Sequence, residues 1–565
     1  MDDDDLSDLN QQLQLHYQLI ALNCRFTHSC LALFYVRNEL EHHLDCRAGI
    51  SQFTINDPYY DTLQRISNSA ADALFFSVYI WNGMYIKRLV RDLKRILPEL
   101  PIILGGPQAP FLKDLPSGCT VVHGEIEGVA ASFYRDLKQG ALQSEYKAVP
   151  KNPFVSPYRP ADFSGPLQNR QIYYESSRGC PFFCSYCLSS VSHGVLHKDV
   201  DTVQQELEML LSAQPMIIKF VDRTFNSNPQ RTLALWRYLA AAPGNTRFHF
   251  EIAPDRFIEE MFRFLEEVEH DRFQFEIGIQ SCNRETLQAV NRGMDVELAL
   301  TNIARLTSMD NIHLHVDLIL GLPHETEESF RNSFNLVFAT RAHYMQMGLL
   351  KVLPETAIRS AATDFGMIYC EQPPYEILAN RWLDHPTLSD LHDFGECVEA
   401  FYNNRYFRSI WDYIVRNQDE PFIFFSHLLR VCRRHDFFDL APTQQLLGRM
   451  LFELAHERPD GKLLRDLLRY DWLRCGHRFL PDYLETAPQK TIREELRNKL
   501  PQNLANLFDH HNRTDFLKRG VFLKMSHAAL IEIGMDNTPE DSYLCFLPEQ
   551  TTGVIKHSRV EILHG

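Results

Sequence analysis

Three cysteines fall close together in YYESSRGCPFFCSYCLSS (173–190): Cys180, Cys184 and Cys187, spaced CxxxCxxC. Clustered thiolates at this spacing are metal ligands, and a tetrahedral ion wants four donors. With His193 or His197 as the fourth they could close a structural zinc site. No second CxxC half follows to build a ribbon or finger, however. A [4Fe–4S] cubane suits three thiolates better, because three irons are held and the fourth stays open for a ligand. The other cysteines are scattered singly and read as ordinary thiols of a reducing compartment.

A second set of chemical groups recurs at strand ends. Asp222 lies in VDRTFN, Glu251 in FEIAPD, Glu276 in FEIGIQS and Asp317 in HVDLILGLP. A buried carboxylate is costly unless paired or hydrogen-bonded. Four of them on separate strands describe a polar ligand site, to which Gln280, Ser281 and Lys351 add contacts. The strands that must position them are 171–177, 216–225, 248–254, 273–281, 312–323 and 344–354, with helical segments between. Six such units predict a (β/α)6 partial barrel over 171–370. The cysteine loop leaves its first strand at the carboxyl end, where barrel active sites lie.

Ahead of the barrel, strands at 17–23, 50–57, 71–81, 101–107 and 120–125 alternate with helices at 29–44, 60–67 and 83–97. This predicts a doubly wound, Rossmann-like α/β domain over 15–148, with ligands held outside the carboxyl ends of its strands. Residues 149–170, rich in proline and polar residues, read as a linker. The acidic stretch 1–14 reads as a disordered tail. Residues 371–565 predict a mainly helical domain, whose Tyr402, Tyr406, Phe407 and Trp411 have the spacing of core. Two runs near its end, 522–534 and 557–565, are strand-like.

The 565 residues are 45% hydrophobic and 23% charged, with a formal net charge of −16. The missing basic block argues against a nonspecific nucleic-acid binder. No long uncharged apolar run predicts a membrane span, and the N-terminus is acidic where a signal peptide is basic and apolar. The expectation is a cytoplasmic protein.

RGCPFFCSYCLSS resembles the signature of the radical S-adenosylmethionine (SAM) superfamily. DLILGLP with Glu325 and Thr326, and DRTF, resemble segments of the same superfamily, although the usual Gly-Gly-Glu segment has no glycines here. The resemblance implies that SAM chelates the open iron, that Tyr186 lies near its adenine, and that the acids and Gln280 and Ser281 contact it. A five-stranded domain directly before such a barrel resembles the cobalamin-binding class. That implies a corrin over Asn23, His28, Ser29, Ser77, Tyr79, Gly105, Gly106, Pro107, Gly124 and Glu125. His28 is then a candidate lower ligand of cobalt, beside its plainer reading as a loop histidine. The implied chemistry is reductive cleavage of SAM to a 5′-deoxyadenosyl radical, removal of a substrate hydrogen, and methylation of an unactivated carbon from methylcobalamin. Radical cyclisation or rearrangement, a methylthiotransferase with a second cluster on Cys24, Cys30 and Cys46, and a cobalamin or redox sensor are the alternatives. The resemblance assigns no substrate, small or macromolecular, and implies a reductant such as flavodoxin or ferredoxin.

Overall fold

The computed structural model describes residues 14–150, 154–190, 194–485, 488–500, 513–535, 542–548 and 558–563. The expected acidic tail, apart from its last residue, lies outside these. The first domain is a parallel six-stranded sheet: β1 (Leu15–Asn23), β2 (Cys46–Thr54), β3 (Ala73–Ser77), β4 (Ile102–Gly105), β5 (Cys119–His123) and β6 (Glu145–Lys147). Its order is β2-β1-β3-β4-β5-β6, the flavodoxin-like arrangement with one strand more than expected. β1 is apolar along most of its length because helices cover both sheet faces. The helix Gly83–Ile96 turns Ile86, Leu89, Val90 and Leu93 inward at helical spacing.

The segment expected to be a linker is packed. Tyr158 and Leu167 are buried, and Arg37 of the first domain forms a buried ion pair with Asp162. Proline and polar residues read as a linker because sequence does not show that Arg37 supplies the missing charge.

The second sheet contains β7 (Ile172–Tyr174), β10 (Ile217–Phe220), β11 (Arg247–Ile252), β12 (Phe273–Gln280), β13 (His313–Leu320) and β14 (Tyr344–Leu349), in sequential parallel order. It is an open barrel, with β7 and β14 at its edges. Strand period two sorts its side chains. Phe273, Phe275, Ile277 and Ile279 of β12 are buried under the helices, where Trp236 lies 5.3 Å from Phe275. Gln274, Glu276, Gly278 and Gln280 alternate with them and face the interior.

The C-terminal region is helical from His385 to Lys499. Its first long helix, His385–Tyr402, covers the edge strand β14. Asn403 just beyond it accepts from Met345 N and donates to Met345 O, both at 2.9 Å, as a neighbouring strand would. Tyr402, Phe407 and Trp411 are buried as expected, whereas Tyr406 is only partly so. The run 522–534 is a strand, Val521–Lys524, followed by a helix, His527–Glu532. Ser558–Leu563 is a strand.

Candidate active site

The cysteine loop is carried by two short strands outside the barrel sheet, β8 (Ser177–Cys180) and β9 (Gly194–His197), paired antiparallel. Gly179 has φ +89°, and a Cβ there would lie 2.1 Å from Gly194 O, so this approach requires glycine. Cys187 N donates to Cys184 O at 3.0 Å, turning the loop back on itself. Ser185 N donates to Val290 O, and Ile358 N to Ser185 O, fastening the loop to two neighbouring barrel loops. Cys184 is buried; Cys180 and Cys187 are partly exposed.

Arg292 stands against this loop. Its guanidinium lies 3.5 Å from Cys184 Sγ and 3.4 Å from Tyr186 Oη, and donates to Gly278 O. Nothing in the spacing of neighbouring residues marks Arg292 as part of the site. Among the described residues no three His, Cys, Asp or Glu side chains converge as ligands of one ion would. Thiolates that each hold a different iron need not converge on one point.

The barrel interior gathers three of the four expected acids. Glu251 pairs with Glu276 in register, and Asp317 with Gly278. Burial and the neighbouring Glu276 and Glu251 push the Asp317 carboxyl up to about 8. Burial raises Glu251 to about 7, opposed by Arg223. Glu276 is held below the usual range by the hydrogen bond from His249 Nε2 at 3.0 Å. Lys219 on β10 also faces the interior, and burial lowers its pKa. Gln280 adopts φ +72° at a register shift between β12 and β13. Its buried Oε1 has no protein partner. An orphaned acceptor beside three carboxylates fits a ligand that brings an ammonium, hydroxyls and an amine, as SAM does.

Two expected contacts turn inward instead. Asp222 is fully buried and accepts from Ser176 N at 2.9 Å and from Ser176 Oγ and Ser177 Oγ at 2.5 Å. Arg231 closes the network by donating to Ser176 O and Oγ. Asp222 therefore ties the start of β8 to the end of β10 and is not presented to a ligand. Ser281 is also fully buried, its Oγ accepting from Asn283 N. Lys351 is exposed, and its backbone forms an isolated antiparallel β-bridge with that of Glu376.

At the carboxyl edge of the first sheet, Ser77, Tyr79, Gly105, Gly106, Pro107 and Gly124 lie on the loops expected to meet a corrin. Gly105 has open space where a Cβ would stand. Gly106, at φ +100°, would place a Cβ 2.6 Å from Val78 O. Tyr79 stacks on Trp81 at 4.4 Å. Three expected contacts are used within the protein. Asn23 Nδ2 donates to His28 O and Gln52 Oε1, Ser29 Oγ donates to Gln171 O, and Glu125 pairs with Arg178. His28 packs edge-on to Tyr173 of β7 at 6.4 Å. Burial, with Lys219 and Arg25, lowers its pKa below the usual imidazole value. The edge faces the barrel: Gln108 Nε2 donates to Tyr375 Oη at 2.7 Å.

Cys24, Cys30 and Cys46 do not form a second cluster site. Cys46 pairs with Leu15 at the amino end of β1, and Cys24 follows Asn23 at the other end. Nine strand residues separate the two by about 30 Å.

Comparison with known proteins agrees with this architecture. Residues 174–337 match the Radical SAM superfamily, and residues 363–544 match a protein family of unknown function, DUF4080. A 2-(S-pantetheinyl)-carbapenam-3-carboxylate methyltransferase of Streptantibioticus cattleyicolor is 24% identical over 507 residues, 73% of this chain and 72% of the relative. The cobalamin-dependent radical SAM methyltransferase TokK of Streptomyces tokunonensis is 26% identical over 339 residues, 51% of this chain. The alignment spans about half (48%) of TokK. The structure of the cobalamin-dependent SAM radical enzyme OxsB, with aqua-cobalamin and SAM bound, covers 90% of this chain and 84% of its own at TM-score 0.57 and 12% identity. That likeness extends the shared fold to nearly the whole chain. With the CxxxCxxC loop on a parallel partial barrel, a flavodoxin-like domain before it and a region matching DUF4080 after it, the chain carries a radical SAM domain within a fold shared with cobalamin-dependent radical SAM enzymes.

Proposed function

We propose that this protein is a cobalamin-dependent radical SAM methyltransferase acting on an unactivated carbon. The observation that supports the reading is that the carboxyl edge of the first sheet meets β7 of the barrel and the hairpin paired with the segment leaving β14. Gln108 reaches Tyr375, and His28 packs on Tyr173. When bound, the cluster with SAM supplies a 5′-deoxyadenosyl radical, and cobalamin supplies a methyl group; the protein positions them and excludes water. Cys180, Cys184 and Cys187 hold three irons. Glu251, Glu276, Asp317 and Gln280 line the recess that takes SAM, with Tyr186 at its rim. The loops at Ser77–Trp81, Gly105–Pro107 and Gly124 receive the corrin, and His28 is its candidate lower ligand. The turnover cycle needs an electron donor, such as flavodoxin or ferredoxin. The relatives' names supply the methyl-transfer class and leave the substrate of this chain open.

Anaerobically reconstituted protein tests the reading. It is expected to hold about four irons per chain, to bind cobalamin, and to release 5′-deoxyadenosine from SAM under dithionite. Protein that cleaves SAM but binds no cobalamin refutes the methyl-transfer reading. Protein with one zinc and no iron refutes the radical one.

A further inference from the structure

Arg178 lies two residues before Cys180, and its side chain crosses into the first domain. Nη1 donates to Glu125 Oε2 at 2.5 Å and Nη2 to Glu127 Oε1 at 2.8 Å. Both acids belong to the loop after β5, Gly124–Gly128. Nη2 also donates to Glu175 Oε2 at 2.9 Å, the oxygen that accepts from Tyr35 Oη of the first domain. The guanidinium lies over the rings of Phe154 and Tyr35, at 4.2 and 5.3 Å. Its side chain is only 12% exposed. The far side of the loop is fixed as well. Val149 N donates to Gly128 O, and a Cβ on Gly128 would meet Val149 O at 1.8 Å. The loop is thus held between the strand leaving β6 and one arginine of the cysteine-bearing strand.

We infer that Arg178 is a positioning residue that couples the corrin loop to the cluster loop, fixing the placement of cobalamin relative to the iron–sulfur cluster. The inference rests on the cobalamin reading above. Its physical basis is geometric. One planar guanidinium with donors in a fixed fork can join two loops and a strand at once, which a single ammonium cannot. β8 has only four residues, Ser177–Cys180, so displacement at Arg178 is transmitted to Cys180 with little chain to absorb it. In the other direction, releasing Glu125 and Glu127 frees the Gly124–Gly128 loop while leaving Cys180, Cys184 and Cys187 in place.

The test uses the full-length, anaerobically reconstituted protein and its variants Arg178→Gln, Arg178→Lys and Glu127→Gln. The readouts are iron content, cobalamin affinity by absorbance titration, and the distance between cob(II)alamin and the reduced cluster by pulsed electron paramagnetic resonance. Arg178→Gln is expected to keep its irons, bind cobalamin about 10- to 100-fold more weakly, and broaden the cobalt–cluster distance distribution. Arg178→Lys should recover only part of this, and Glu127→Gln should show a milder form of the same change. Parent-like affinity and distance in Arg178→Gln overturn the inference. Iron loss in Arg178→Gln with parent-like behaviour in Glu127→Gln also overturns it, because Arg178 then serves only its own strand. Failure of the parent protein to bind cobalamin refutes the underlying reading, and the inference with it.

Discussion

Removal of the Asp222 carboxylate should damage the cluster loop before it damages SAM recognition. The carboxylate accepts three hydrogen bonds, from Ser176 N, Ser176 Oγ and Ser177 Oγ, in a site with no solvent access. Hydrogen bonds to a charged group contribute about 1.5–3 kcal/mol each and are not additive. Arg231, mostly buried beside the same serine, would be left without its nearby countercharge. Arg231 reaches Asp222 through Ser176 and not by a direct ion pair, and leaving a buried charge uncompensated costs about 3–5 kcal/mol. Asp222→Ala should therefore weaken the barrel locally by about 3–5 kcal/mol, and Asp222→Asn, which keeps an acceptor, by about 1.5–3. The strand that loosens leads directly to Cys180. The assay is iron per chain after anaerobic reconstitution, followed by SAM titration of the fraction that retains a cluster. The expected result is iron loss ordered Ala > Asn > parent, with near-parental SAM affinity in the surviving fraction. An Asp222→Ala protein with full iron and selectively lost SAM binding would refute this reasoning and restore the carboxylate to the ligand side.

Other outcomes follow from the same geometry. Cys180→Ala, Cys184→Ala and Cys187→Ala should each abolish or destabilise the iron–sulfur absorbance near ~400 nm, since each thiolate holds one iron; undiminished iron and turnover in any of them would contradict the ligand set. Glu276→Ala should weaken SAM binding about 10- to 150-fold with iron retained, and an unchanged titration would misplace the pocket. Asp317 keeps its proton up to about pH 8 in the folded, ligand-free chain but loses it at the ordinary carboxylate pKa when unfolded. Its contribution to ligand-free stability is thus lost as pH rises from about 4 to 8. Cationic SAM prefers the ionised acid, so SAM affinity should rise with pH toward 8, and Asp317→Asn should flatten that rise. Gly105→Val should fold normally and exclude cobalamin, because its Cβ enters open space, whereas Gly106→Val should destabilise the first domain itself; retained cobalamin in a folded Gly105→Val protein would move the corrin elsewhere.

The two α/β domains were legible because their signals are periodic and local. β12 alternates Phe-Gln-Phe-Glu-Ile-Gly-Ile-Gln, and that alternation alone places Glu276 inside and Phe275 under a helix. The cysteine loop was legible because its three cysteines fall within eight residues of sequence. The packed segment at 154–170 was not, because its order depends on Arg37, more than 100 residues away. Arg292 was missed for the same reason: nothing near it in sequence announces Cys184, 108 residues earlier.

The acids show where sequence pattern stops being sufficient. Asp222 lies just past the carboxyl end of β10 and Glu251 near that of β11, whereas Glu276 and Asp317, expected at strand ends, sit mid-strand in β12 and β13; one of the four is consumed and three remain in the recess. The difference is partner supply. Ser176, Ser177 and Arg231 provide donors and countercharge around Asp222, so its burial is compensated from within the protein. Glu251 and Asp317 are raised toward neutral pH because burial and the neighbouring Glu276 carboxylate are not fully compensated. Carboxylates that the fold leaves undercompensated are those that a cationic ligand can stabilise. The orphaned Oε1 of Gln280 beside them is a second, uncharged deficit of the same kind. The proposed SAM site therefore rests more on what the folded chain leaves unsatisfied than on the positions of its acids along the strands.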